Sequence, residues 1–107
     1  MKWTVETLNQ QVLEELDALP DDMQAKYHFI AGMIEDFGPS QVGMPHLRHI
    51  EGRLWELRLK GRDGIARALY VVVTGRKVVI VRVFIKKTSK TPRHEIDLAL
   101  SRANQIL

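Results

Sequence analysis

The chain has 107 residues, 45% of them hydrophobic, no cysteine, and a net charge of +3. That length supports one domain, taken as residues 1–107, with a single core. The missing cysteines exclude disulfides and thiolate metal sites, which fits a reducing, cytoplasmic setting. The N-terminal MKWTVETLNQQ lacks the apolar core of a signal peptide. Val78 to Ile85 is the most apolar run, yet Arg82 interrupts it and it is too short to span a bilayer, so no membrane partner is expected.

In chain order, Met1 to Val5 reads as a short strand. Val5, Leu8, Val12, Leu16 and Leu19 then recur at intervals of three and four, an amphipathic helix that Pro20 stops. Asp21 and Asp22 suit the first turn of a second helix, whose stripe runs through Met23, Tyr27, Ile30, Ile34 and Phe37 to Gly38-Pro39. The short join between them implies an α-hairpin. Residues 39–52, with two prolines and two glycines, read as a loop. Three strands follow at Arg53–Lys60, Ile65–Val73 and Lys77–Lys86, separated by GRDG and TGR turns. Thr91 is placed to cap a last helix with Pro92 in first position and an apolar stripe through Ile96, Ala99, Leu100, Ala103 and Leu107. The order β-α-α-β-β-β-α implies an α+β fold, a mostly antiparallel sheet with its helices on one face.

Charge is unevenly distributed along this order. Residues 1–50 hold three cations against eight acids, a balance of −5; residues 51–107 hold thirteen against five, a balance of +8. Between Arg53 and Arg93 twelve cations stand against only Glu56 and Asp63, and they alternate with apolar residues at strand spacing. Such a sheet face can hold phosphates, although solvated strand faces also carry Lys and Arg.

Parity selects which cations can cooperate. Arg58 and Lys60 share the polar face of their strand, opposite Trp55, Leu57 and Leu59, which read as core. Arg67 lies on the neighbouring strand, and Arg82, Phe84 and Lys86 share one face of the next. Arg58, Arg67 and Lys86 are therefore expected to line one face, with Arg able to fork two phosphate oxygens. RNA supplies its own 2′-hydroxyl nucleophile, so a protein that cleaves it needs only positioning, an anion clamp, a base and an acid. Lys60, Lys86 and Lys87 are candidate bases, because crowding among cations eases loss of a proton. Lys90 in KKTSK is a candidate phosphate contact, Phe84 a stacking surface or core residue, and Arg82 a partner-facing or structural cation. Arg67 has an alternative in a buried ion pair with Glu56. His46 and His49 lack further ligands at metal spacing, so neither a metal nor a cofactor is expected. His94, at the start of the last helix, is a candidate acid or phosphate contact.

The segments LWELRLKGRDGIARALYV and VVIVRVFIKKTSKTPRHEIDLAL resemble the RelE/ParE toxin superfamily, nearest to its HigB-like, phage-related branch of type II toxin–antitoxin toxins. The carrying residues are Trp55-Glu56-Leu57-Arg58, Arg67 with Tyr70, Phe84-Ile85-Lys86-Lys87, Thr91-Pro92 and Glu95-Ile96. The resemblance implies the RelE-type fold and metal-independent endoribonuclease action on mRNA, usually at the ribosome. It implies catalytic roles for Arg58, Arg67, Lys86 and Lys87, with Lys60 as a basic residue beside them; Arg82, Phe84, Lys90 and His94 are the further candidates for RNA or phosphate contact, taken from the residues themselves. It further implies a helix-turn-helix, HigA-like antitoxin through which the pair meets operator DNA. No tyrosine follows Tyr70, so His94 is the nearest counterpart of the C-terminal Tyr or His that many relatives carry. A gyrase-directed toxin of the ParE kind, or an RNA-binding module without catalysis, fits the same fold.

Overall fold

The computed structural model describes residues 2–87 and 89–107. Its elements are β1 (Thr4–Thr7), α1 (Gln10–Asp17), α2 (Asp21–Phe37), α3 (Pro39–Val42), β2 (Leu47–Glu51), β3 (Leu54–Gly61), β4 (Gly64–Val73), β5 (Lys77–Lys86) and α4 (Arg93–Ala103). One five-stranded sheet has the order β1-β5-β4-β3-β2. β1 pairs with β5 in parallel and every other pair is antiparallel. No helix is long and apolar enough to cross a membrane among the described residues.

The expected helices form but are shorter than their stripes: Val5 belongs to β1, Leu8 and Leu19 lie outside α1, and Leu107 lies beyond α4 and is exposed. Asn9 caps α1, its side chain accepting from the Val12 amide. Val12 and Leu16 of α1, with Met23, Tyr27, Ile30 and Ile34 of α2, are buried against Leu57, Leu59, Ala66, Ala68, Tyr70, Val78 and Ile80 of the sheet. The α2 stripe ends in practice at Ile34, since Phe37 is exposed. At the C-cap, Gly38 adopts φ +83°, and a Cβ there would lie 2.8 Å from Nε1 of Trp3. Only glycine meets both demands.

The helices do not share one face. α4 lies on the opposite side of the sheet, where Ala99 and Ala103 pack with Leu54, Leu69, Val71, Val79, Val81 and Phe84. The reason is visible in Tyr70–Val73 and Val78–Val81, which are apolar at both parities. A strand apolar on both sides must be covered on both sides.

Three further expectations change. The loop at 39–52 contains the short helix α3 and the edge strand β2, because β2 finds its hydrogen-bond partners on β3 despite the flanking prolines and glycines. Trp55 points to the α2 side with Leu57 but stays 39% exposed, because α2 ends before covering it. Thr91 does not cap α4: the N-cap is Pro92 with no side-chain cap, and the Thr91 hydroxyl bonds elsewhere.

A β-bulge in β5 matters most for the site. Leu69 pairs with Arg82 while Tyr70 pairs with Ile80, leaving Val81 as the extra residue. Before the bulge the even positions Val78 and Ile80 face the α1–α2 side. After it, the even positions Arg82, Phe84 and Lys86 face the α4 side, opposite Leu69, Arg67 and Ile65. Without that one-residue slip, Lys86 would point to the wrong face.

Candidate nucleic-acid interface

On the α4 side the sheet is divided in two. One part is the apolar bed of α4; the other, between β2 and the end of β5, is cationic. Arg58 pairs in register with Arg67, Arg67 with Phe84, Ile65 with both Lys60 and Lys86, and Arg48 with Glu56. Arg48, Arg58, Arg67 and Lys86 therefore surround a single carboxylate.

That carboxylate, Glu56, is fully buried. Its Oε2 lies 2.6 Å from Nη1 of Arg67, and its Oε1 accepts from the Thr91 hydroxyl at 3.0 Å. The pairing weighed from the sequence is thus present, and Arg67 is only 3% exposed. It leaves the surplus intact. Four cations face one acid, and the buried Nε atoms of both Arg58 and Arg67 have no acceptor among the described residues. A buried donor without an acceptor is costly, which favours an anion against these arginines.

Electrostatics follow from this crowding. Burial lowers the Arg67 pKa, opposed by Glu56 and reinforced by Arg58 and Arg48. Burial likewise pushes Lys86 below its ordinary value, with the Arg67 charge next and smaller contributions from Arg48 and Arg58. Lys86 Nζ donates to the Ser89 carbonyl at 2.5 Å, which points the amine toward the loop leading to Thr91. Loop and sheet are joined a second time by the Thr91–Glu56 bond.

The remaining expected residues divide. Lys60 is exposed at the margin of the cluster, next to Arg58 along β3. Lys90 lines a 190 Å³ cavity with Arg48, Glu56, Lys86 and Thr91. Lys87 and His94 line a neighbouring cleft with Phe84, Lys86 and Pro92, and His94 is exposed. Phe84 is itself buried, so it forms the floor between cluster and core rather than an open stacking surface. Arg82 lies outside the open cluster. It contacts Glu95 at 2.6 Å and Glu15 at 3.0 Å, and Arg102 reaches the same Glu15 at 2.9 Å. These bridges tie α1, β5 and α4 together, and Arg82 is a structural cation.

Arg48 was not singled out from the sequence because its segment read as a loop; the only signal was the alternation within LRHIE. Glu56 and Thr91 were visible as residues, but their bond spans 35 positions and needs the folded chain. Among the described residues no three His, Asp or Glu side chains converge in the manner of a metal site.

The family model of phage-derived Gp49-like proteins (DUF891) matches residues 14–104. Among solved structures, RelE in the archaeal RelE–RelB complex from Pyrococcus horikoshii aligns with a TM-score of 0.61 at 21% identity, covering 83% of this chain and all of that one. A mutant of the E. coli toxin RelE in the free state aligns with a TM-score of 0.59 at 15% identity, covering both chains completely. No curated protein matches the chain in sequence.

Proposed function

The chain belongs to the phage-derived Gp49-like family and has the fold of the RelE toxins, and from that premise we propose that it is the toxin of a type II toxin–antitoxin system, an endoribonuclease that cuts mRNA, at the ribosome. The observation that carries the reading is the surplus of cations around Glu56, with two buried guanidinium nitrogens lacking acceptors.

In this reading the scissile phosphate sits over Arg58 and Arg67, with Arg48 adding charge from β2. The 2′-hydroxyl oxygen of the preceding nucleotide attacks phosphorus, and the bond to the 5′-oxygen of the next nucleotide breaks. The products are a 2′,3′-cyclic phosphate and a 5′-hydroxyl. Lys86, the amine whose proton is loosened by burial and by Arg67, takes the 2′-hydroxyl proton. Lys87 or His94, in the adjoining cleft, protonates the leaving oxygen. Charge growing on the phosphate is met by arginines already held in place, so little reorganisation is required. Lys60 and Lys90 guide the flanking backbone. Glu56 holds Arg67 in position and touches no substrate.

The partner is a cognate antitoxin of the helix-turn-helix, HigA-like kind, through which the complex would meet operator DNA. The archaeal relative was solved with RelB, which supports an antitoxin partner in general. The test is induced expression of the parent, Arg67→Ala and Lys86→Ala, with sequencing of RNA 5′ ends and circular dichroism to confirm folding. The parent should cut transcripts within codons, and Arg67→Ala should lower cutting about 10²–10³-fold, the usual cost of removing one preorganised donor. Equal cutting by folded Arg67→Ala would refute the role of the cluster. DNA-damage signalling without transcript cuts would point instead to a gyrase-directed toxin.

A further inference from the structure

β2 pairs with β3 from Leu54 to Leu57, and the Arg58 amide donates to the His46 carbonyl at 2.9 Å, so the outer edge of β3 is left open beyond Arg58. A 330 Å³ cleft lies at this edge, lined by Lys26, Pro45, His46, Arg58, Lys60 and Ile65. Its lining includes no carboxylate. Arg58 and Lys60 come from the α4 side of the sheet, whereas Lys26 comes from α2 on the other side. The cleft therefore carries positive charge around the sheet edge, away from Arg67 and Lys86. Lys26 is one of only three cations in the acidic half of the chain.

An aromatic ring stands beside it. Phe29, one helical turn from Lys26 on α2, is 57% exposed. Lys26 Nζ sits 5.4 Å from the centroid of that ring, and the His46 ring meets it edge-on at 6.4 Å. An exposed ring beside cations is the arrangement by which proteins hold single-stranded nucleic acid: cations take the phosphate and the ring takes a base.

We infer that this cleft is a second RNA subsite, distinct from the cation cluster, that holds one nucleotide flanking the cut. Its phosphate lies among Lys26, Arg58 and Lys60, and its base stacks on Phe29. Arg58 belongs to both sites and joins them, so the strand passes from the cluster over Arg58 and turns around the edge of β3 toward α2. The inference rests on the endoribonuclease reading for the identity of the ligand, but not on catalysis. Lys26 and Phe29 take no part in the proposed cleavage step.

The test uses the whole chain and fluorescein-labelled 2′-O-methyl RNA oligonucleotides of two to six residues, which cannot cleave themselves. Anisotropy titrations at several salt concentrations compare the parent with Lys26→Ala, Phe29→Ala and Arg67→Ala. For the parent, affinity should rise at the oligonucleotide length that first reaches the cleft. Phe29→Ala should lose about tenfold of that gain, within the usual range for one stacked base. Lys26→Ala should reduce the slope of log K against log salt by about 0.7, one single-strand phosphate contact. Both variants should bind the shortest oligonucleotides as the parent does. If both match the parent at every length and salt concentration, the subsite is refuted. If they weaken binding while folded Arg67→Ala does not, the subsite stands and the cluster reading falls. If the parent binds no oligonucleotide, both are overturned. Loss of ribosome binding with oligonucleotide binding unchanged would assign the cleft to ribosomal RNA, against this proposal.

Discussion

Glu56 is the single negative charge among Arg48, Arg58, Arg67 and Lys86, and its removal tests how that cluster is held together. At 2.6 Å from Arg67, the gross attraction is about 6 kcal/mol at an effective dielectric near 20, most of it offset by the cost of burying both ions. Breaking the pair is different from never having it. Glu56→Leu would leave Arg67 buried, uncompensated and directly beside Arg58, and the expected loss is about 3–5 kcal/mol. For a domain of this size each kcal/mol lowers the melting midpoint by about 4–8 °C. Arg67→Met alone should also destabilise, by taking the 2.6 Å partner from a fully buried carboxylate. The double variant Glu56→Leu/Arg67→Met should recover much of the loss, because well-packed apolar residues often replace a buried ion pair at little cost. Urea unfolding of all four proteins yields the coupling energy directly. The expected coupling is about 2–3 kcal/mol; additive losses, or a Glu56→Leu cost below about 1 kcal/mol, would refute the view that Glu56 holds Arg67. Inorganic phosphate should stabilise Glu56→Leu more than the parent, since the anion enters where the carboxylate was.

Lys86 should set the alkaline limb of the cleavage rate. Its pKa is lowered from the ordinary 10.5, so the rate should rise with pH and level off below that value, and Lys86→Arg should remove the limb; an unchanged profile would exclude Lys86 as the base. The stability consequence has a definite sign. Because the folded value is the lower one, charging Lys86 costs stability, a cost absent well above pH 10.5 that sets in as pH falls below 10.5 and is complete once pH lies below the folded value. Gly38→Ala should destabilise by about 1–3 kcal/mol, because the new Cβ combines a left-handed backbone with a collision against Trp3; chemical denaturation reads this, and Trp3→Ala in the same background should relieve the steric part only.

Much of this protein was legible in order along the chain. The helix stripes through Val12, Leu16, Met23, Tyr27, Ile30 and Ile34, the three long strands, and the sharing of a face by Arg58 and Lys60 all follow from local periodicity, which backbone geometry enforces within each element. The expectation that Arg82, Phe84 and Lys86 share a face was correct for the same reason. What periodicity could not supply was which elements lie beside each other. The bulge at Val81, which sets Lys86 on the arginine face, comes from pairing between strands. The placement of α4 opposite α1 and α2 follows from strands apolar at both parities, a signal present in YVVV and VVIV but outweighed by the amphipathic reading of β3.

The sequence by itself determined the inventory: a basic second half, strands that alternate charge with apolar residues, and a residue block that resembles those of RelE-type toxins. Tertiary structure alone decided the state of each charge. Arg82 is neutralised by Glu15 and Glu95, Arg67 is held by Glu56, and Arg48 and Lys26 are brought to clefts from segments that gave no such sign. The physical reason is that a cation's availability depends on which carboxylates and how much water surround it, and those neighbours come from positions 11 to 87 residues away in the chain.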